Sequence, residues 1–284
     1  MSGDAVPGRM LAPAKLNLCL YVGPRREDRL HEIRSLFEPL ELADELRISE
    51  SEEDEVICEG IEAPDLTATA LAALREHGWD GPQLRIEVTK RVPVAAGLGG
   101  GSADAAAVLR LARGEIEGLR SIAAQIGADV PSQLQPRPCL VAGAGEVIEP
   151  VATPAEHGVV LIPQPEGLST AAVYAEADRL GSPRGEAELE AIRRQLRDAV
   201  DEGGSPLTYR EHLVNDLQPA AISLKPEIED ALRALEEAGA AHAMVTGSGP
   251  TAFGLYPTPE EVAAGADELR ARFPDVLATR PMSL

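Results

Sequence analysis

Pro93-Val94-Ala95-Ala96-Gly97-Leu98-Gly99-Gly100-Gly101-Ser102-Ala103-Asp104-Ala105-Ala106 is the stretch on which the rest of the chain turns. Before it, Leu84–Lys90 (LRIEVTK) alternates apolar and polar residues, the pattern of a half-buried strand. After it, residues 103–112 (ADAAAVLRLA) have the composition of a strong helix. Strand, glycine loop, helix is an arrangement that binds phosphate. Glycines allow φ > 0 and close backbone approach, so that successive N–H groups converge. The helix N-terminus adds free N–H groups and the positive end of its dipole. Ser102 is expected to open the helix as its N-cap, with a hydroxyl placed for a phosphate oxygen or Mg2+.

Other phosphate loops fit less well. A Walker A loop ends in G-K-[ST], whereas Ala103 follows Ser102 here and no lysine precedes it. A dinucleotide fingerprint needs glycine where Ser102 stands. The partners of a protein-kinase glycine loop, H-R-D and D-F-G, are absent from the sequence.

Composition narrows the partners. At 284 residues with 44% hydrophobic and 26% charged residues, the chain has the balance of a globular protein with a proper core. Aromatic residues make up only 3%, so that core is built from Ala, Leu, Val and Ile. A formal charge of −21 repels nucleic-acid backbones and anionic lipid, but leaves room for a small-molecule substrate, even an anionic one, because a local loop of backbone N–H groups can outweigh the distant field. Cys19, Cys58 and Cys139 form no C-x-x-C, which suits a reducing compartment. No apolar run reaches the ~18 residues of a membrane span, and the expected location is cytoplasmic. Only Lys15, Lys90 and Lys225 are lysine among 26 basic residues, so each marks a place where a compact ammonium was kept over guanidinium.

Along the chain, residues 1–9 read as a lead-in. Strands are expected at residues 10–23, within 33–49, at Val56–Cys58, at Val159–Pro163, and as a pair at Ala243–Val245 and Thr251–Tyr256. Helices are expected at residues 66–77, 103–112, 115–127, 186–202, Ala220–Ser223, Ile228–Ala238 and from Glu260 to about Arg272. Gly203-Gly204-Ser205-Pro206 reads as a flexible connection. The mixture is α+β, in two halves, residues 1–155 and 156–284.

Three ordered stretches resemble the motifs of the GHMP kinase superfamily. Residues 93–106 match its P-x-x-x-G-L-G-S/G-S/G-S/A motif; residues 12–18 (APAKLNL) resemble the first motif and residues 245–251 (VTGSGPT) the third. Further elements resemble members that act on a cytidine-bearing polyol. Arg26-Glu27-Asp28-Arg29-Leu30-His31-Glu32 stands for R-x-D-G-Y-H-E, Gly127-Ala128-Asp129-Val130-Pro131 for G-A-D-V-P, and Asn215-Asp216-Leu217-Gln218-Pro219 for N-D-L-E-P.

The resemblance implies a two-domain α+β GHMP kinase fold. It also implies ATP and Mg2+ as cofactors and transfer of the γ-phosphoryl group to a hydroxyl. ATP is then expected at Pro93, Ala95, Ala96, Gly97, Leu98, Gly99, Gly100, Gly101, Ser102 and Ala103, with Ser102 the candidate metal contact. Lys15 and Asp129 are the implied catalytic pair: a carboxylate to receive or orient the hydroxyl proton, and a cation to ease its release. Asn17 lies two residues from Lys15 and so on the same strand face. With Asn17, the implied substrate contacts are His31 at the cytosine edge, Tyr174 stacked on its face, and Gly247 and Ser248.

Departures from the pattern are specific. Arg29 and Leu30 replace the Gly and Tyr of D-G-Y-H-E, removing one stacking aromatic. Asp65 stands where related chains often carry Asn near the adenosine, and Gln135-Pro136-Arg137-Pro138 replaces a small Gly-rich stretch. Two alternatives stay open at this level: a GHMP kinase acting on homoserine, mevalonate or a sugar, and a catalytically silent sensor on the same fold.

Overall fold

A computed structural model describes residues 8–60, 66–201 and 204–283, so Asp65 and most of the lead-in lie outside the described residues. By packing, the chain forms two compact units that are interleaved along the sequence. One comprises the chain up to Ala14, Leu42–Pro93 and Gly99–Pro136; the other comprises Lys15–Glu41, Val94–Leu98 and Arg137 onward. This division cuts the chain elsewhere than residue 155. The fold is α+β.

Two long strands, β1 (Arg9–Arg25) and β2 (His31–Glu50), pair with each other and give residues to both units. In the first unit, Glu45–Glu50 of β2 runs antiparallel to β4 (Leu84–Thr89), which is parallel to β3 (Glu55–Cys58). Leu84, Ile86 and Val88 point inward while Glu87 and Thr89 face water, as the period of two requires. Helices α1 (Leu66–Glu76), α2 (Gly100–Leu109), α3 (Leu119–Ile126) and α4 (Val130–Gln133) complete this unit. Every residue of α2 from Ala103 to Leu109 is buried, so the helix is apolar on nearly all sides. Its alanines let α1 and the sheet approach closely around Leu71, Leu74, Ile86 and Val88.

In the second unit, Ile33–Phe37 of β2 pairs with β5 (Cys139–Gly143), and β5 with β6 (Val147–Pro150). A separate antiparallel sheet runs β10-β7-β9-β8, formed by Leu277–Thr279, Gly158–Ile162, Ala252–Tyr256 and His242–Val245. Around it stand α5 (Thr170–Leu180), α7 (Gln218–Leu224), α8 (Glu227–Glu237) and α9 (Pro259–Leu269), while α6 (Glu186–Asp201) lies against the other sheet, its Arg193 and Arg197 bonded to Glu149 of β6. Val160, Ile162, Val173, Leu217, Leu235, Val245 and Tyr256 share one core.

Several expectations need correction. Helix α2 starts at Gly100 with Gly99 (φ 69, ψ 18) as its N-cap and no side-chain cap, so Ser102 lies inside the first turn rather than opening it. The helix expected over 115–127 is only Leu119–Ile126, because Gly114 (φ 89) and Gly118 (φ 75) turn the chain before it. The expected connection at 203–206 is partly ordered: Ser205 caps a 3-10 segment, Pro206–His212, accepting from the Leu207 N–H at 3.3 Å, while Gly203 lies outside the described residues. Strands β5, β6 and β10 and helix α5 were not anticipated. The strands are runs of three to five residues, too short for periodicity to type. Helix α5 did carry end signals, Ser169 as cap and Gly181 (φ 75) as stop.

Candidate active site

Lys15 and Asn17 sit on β1, both almost fully buried. A lysine in such a place needs partners. Its ammonium donates to Asn17 Oδ1 and lies 4.7 Å from the centre of the Phe37 ring. Asn17 Nδ2 donates to Ser35 Oγ at 2.9 Å, and the Asn17 N–H donates to Thr246 Oγ1 at 3.0 Å. The Asn17 amide is therefore engaged by protein at both ends. Burial pushes the neighbouring Cys19 thiol up to about 12, which removes it as a nucleophile.

The glycine loop is tied to this strand. The Lys15 N–H donates to the Leu98 carbonyl oxygen at 2.9 Å. Gly97 has φ 78, and a Cβ there would overlap the Thr246 carbonyl oxygen and lie 3.2 Å from that of Gly249. Gly247 (φ 57) approaches from the other side: a Cβ on it would be 3.0 Å from the Gly97 carbonyl oxygen and 3.3 Å from Asn17 Oδ1. The three motifs thus touch through their backbones, which explains glycine at both positions. Asn215 fixes the third motif by donating through Nδ2 to the carbonyls of Val245 (2.7 Å) and Gly247 (2.8 Å). Ser248 Oγ lies 3.0 Å from Thr170 Oγ1, at the start of α5. Ala95 takes φ 52, unusual for alanine, and packs where a Cβ on Gly167 would be 2.6 Å from its own.

At the start of α2, the first N–H to bond back is that of Ala103, to the Gly99 carbonyl at 2.9 Å. The N–H groups of Gly100, Gly101 and Ser102 have no intrahelical partner, the arrangement that receives an anion. Below this turn the Lys90 ammonium bonds Asp44 and, at 2.7 Å, Asp104. Asp44 Oδ1 accepts from the N–H groups of Arg91 (2.6 Å) and Val92 (2.8 Å). Burial opposes a charged Lys90, but the two carboxylates outweigh it and raise its pKa. The entry of the loop and the helix that leaves it are thus fastened to one buried ion cluster. Lysine scarcity singled out Lys90 in the sequence; its partners, distant in sequence, were not legible there.

Asp129 is the N-cap residue of α4, yet its side chain makes no cap bond. The Asp129 carbonyl accepts from Ser132 Oγ at 2.7 Å, and Val130, next in the chain, is fully buried. Arg110 closes the other end of α4, donating to the Gln133 carbonyl at 2.8 Å.

His31 opens β2 and is buried beside α5. Its ring stacks on Tyr174, centroids 5.0 Å apart and planes at 27°. Leu30, where the related pattern has an aromatic, is exposed. Arg29, where the related pattern has glycine, has φ 70, a left-handed conformation that glycine adopts without strain.

Residues 65–135 match the model of the GHMP kinases N terminal domain, and residues 189–275 that of the GHMP kinases C terminal. The chain belongs to the GHMP kinases. Within that family it is 37% identical, over 96% of its length and 95% of the relative's, to the 4-diphosphocytidyl-2-C-methyl-D-erythritol kinase of Mesorhizobium japonicum. The kinase of the same name from Nocardia farcinica is 39% identical, over 94% and 91%. The crystal structure of a 4-(cytidine 5'-diphospho)-2C-methyl-D-erythritol kinase superposes with a TM-score of 0.79 at 31% identity, covering 97% of this chain and all 100% of that one. Homoserine kinase from Cytophaga hutchinsonii, with a TM-score of 0.72 and 16% identity over 99% of this chain and 97% of its own, shares the fold alone.

Proposed function

We propose that this chain transfers the γ-phosphoryl group of ATP to the 2-hydroxyl of 4-diphosphocytidyl-2-C-methyl-D-erythritol. The observation that carries this reading is the near full-length identity of 37–39% to relatives bearing that activity's name. Arg26-Glu27-Asp28-Arg29-Leu30-His31-Glu32, together with Thr170-Ala171-Ala172-Val173-Tyr174, which resembles a T-x-x-V-F/Y element of the cytidyl-specific members, favours a cytidyl acceptor over homoserine or mevalonate.

Phosphoryl transfer depends on positioning and charge neutralisation. The free N–H groups at the start of α2 supply phosphate contacts. Asp129 is assigned to receive or orient the hydroxyl proton, and Lys15 to ease its release; Asn17 holds the Lys15 ammonium in place. These roles rest on motif position. Among the described residues no cluster of three His, Cys, Asp or Glu side chains is set to hold a metal. The Ser102 hydroxyl, in the first turn of α2, is the protein group that would contact Mg2+. When bound, the ion neutralises charge on the transferring phosphate. A silent sensor would have no use for Lys15 and Asp129 together.

Mass spectrometry after incubation with ATP, Mg2+ and the cytidyl acceptor tests the reading. The expected product carries one added phosphoryl group. Turnover of homoserine or mevalonate with none of the cytidyl compound would overturn it, as would ATP turnover indifferent to every acceptor.

A further inference from the structure

Residues Thr170, Tyr174 and Asp178 recur every four positions along α5 and so share one face of that helix. Thr170 meets Ser248, Tyr174 stacks on the His31 ring, and Asp178 Oδ1 lies 2.8 Å from His31 Nε2. The pairing does more than hold a ring in place. A carboxylate only accepts, so Nε2 must carry the proton that bonds it. In the neutral ring Nδ1 is then left with its lone pair, and among the described residues no group bonds Nδ1. Tyr174, against the ring face, limits rotation about the bond that would exchange the two nitrogens.

We infer that Asp178 is a positioning residue that holds His31 in the Nε2–H tautomer, so that the ring presents an acceptor, Nδ1, to the substrate base. This rests on the cytidyl acceptor proposed above and adds the source of its base selectivity. An acceptor at this position pairs with an exocyclic amino group and opposes a carbonyl oxygen. Cytosine carries the amino group and uracil the carbonyl at the same ring position. A histidine free to change tautomer would serve either base; one held by Asp178 selects the first. Asp178 need not touch the substrate to do so, and it belongs to none of the motifs that mark the chemistry. The pattern is that of metal-binding histidines, whose orientation and tautomer are set by a carboxylate behind them.

Two measurements test this. Nitrogen-15 NMR of the imidazole in the free protein, at about pH 8, should show His31 as the Nε2–H tautomer, and Asp178→Ala should convert it to a mixture. A predominant Nδ1–H form in the wild type would overturn the inference, whether or not the cytidyl compound proves to be the acceptor. The second measurement is kinetic, with cytidyl and uridyl forms of the acceptor. Asp178→Ala should reduce the cytidyl-over-uridyl ratio of kcat/KM about tenfold, by raising KM for the cytidyl compound and leaving KM for ATP in place. Asp178→Asn keeps an oxygen acceptor for Nε2–H and should restore most of the ratio. A ratio unchanged in Asp178→Ala, or lost equally in Asp178→Asn, would reduce Asp178 to a helix surface residue. Absence of turnover on both acceptors would instead count against the proposed function, with the NMR result standing on its own.

Discussion

The Lys15 N–H donates to the Leu98 carbonyl oxygen at 2.9 Å, so the strand that carries the implied catalytic ammonium also carries one end of the phosphate loop. A shift of β1 therefore moves both. Lys15 is in turn held through Asn17, whose own N–H is bonded to Thr246 of the third motif. Three stretches far apart in sequence behave as one mechanical part.

Gly97→Ala tests the closeness of that packing. The new Cβ would overlap the Thr246 carbonyl oxygen, and φ 78 is strained for any residue with a side chain. The backbone must move, at a cost of at least about 1–3 kcal/mol. ATP affinity measured by calorimetry should fall about tenfold or more. Affinity equal to the wild type would mean that this end of the loop does not set the phosphate contacts.

Asp129→Asn and Lys15→Ala should each lower kcat by ~10²-fold or more, since each removes a group needed only as the proton leaves the acceptor hydroxyl. ATP binding should change little, because the loop backbone supplies most phosphate contacts. Steady-state kinetics with a separate nucleotide-binding measurement distinguishes the two effects. Near-normal turnover in Asp129→Asn would take that residue out of the mechanism.

Lys90→Met leaves the buried carboxylates of Asp44 and Asp104 facing each other without their cation. Breaking such a cluster by removing one partner costs about 3 kcal/mol or more. Because Asp44 also holds the N–H groups of Arg91 and Val92, the entry of the loop should loosen as well. Urea denaturation should show a lower midpoint, and nucleotide affinity should fall with it. An unchanged midpoint would show that the cluster is replaceable.

The His157 ring is buried between the Ala155 carbonyl at Nδ1 (2.9 Å) and Glu38 at Nε2 (3.0 Å). Burial disfavours its charged form, but the Glu38 hydrogen bond and charge, helped by the Ala155 carbonyl, outweigh it and raise the pKa above 6.5. A raised histidine pKa adds stability that is complete below the unfolded-state value and is lost as pH climbs through the folded one. His157→Gln should therefore be most destabilised, relative to the wild type, below about pH 6.5, and the difference should shrink toward alkaline pH. Denaturation series at several pH values check this. A difference that widens with pH would reverse the assignment.

What the sequence determined by itself was the local order of elements and the phosphate loop. Gly97–Gly101 between an alternating strand and an alanine-rich helix has few other uses. Periodicity likewise marked β1, β4, α1 and α8, because alternation and helical spacing are properties of neighbouring residues. The family motifs named Lys15, Asn17, His31 and Asp129 from short patterns alone. Tertiary structure decided what those residues do to one another. That Lys90 joins Asp44 and Asp104, and that His31 meets Asp178, are contacts across 46, 14 and 147 positions respectively. No periodicity carries such pairings, since they depend on where strands and helices come to rest. The start of α2 was settled in the same way. Ser102 is a good N-cap by type, but Gly99 takes the left-handed conformation one turn earlier, and the helix begins there, leaving its first N–H groups bare.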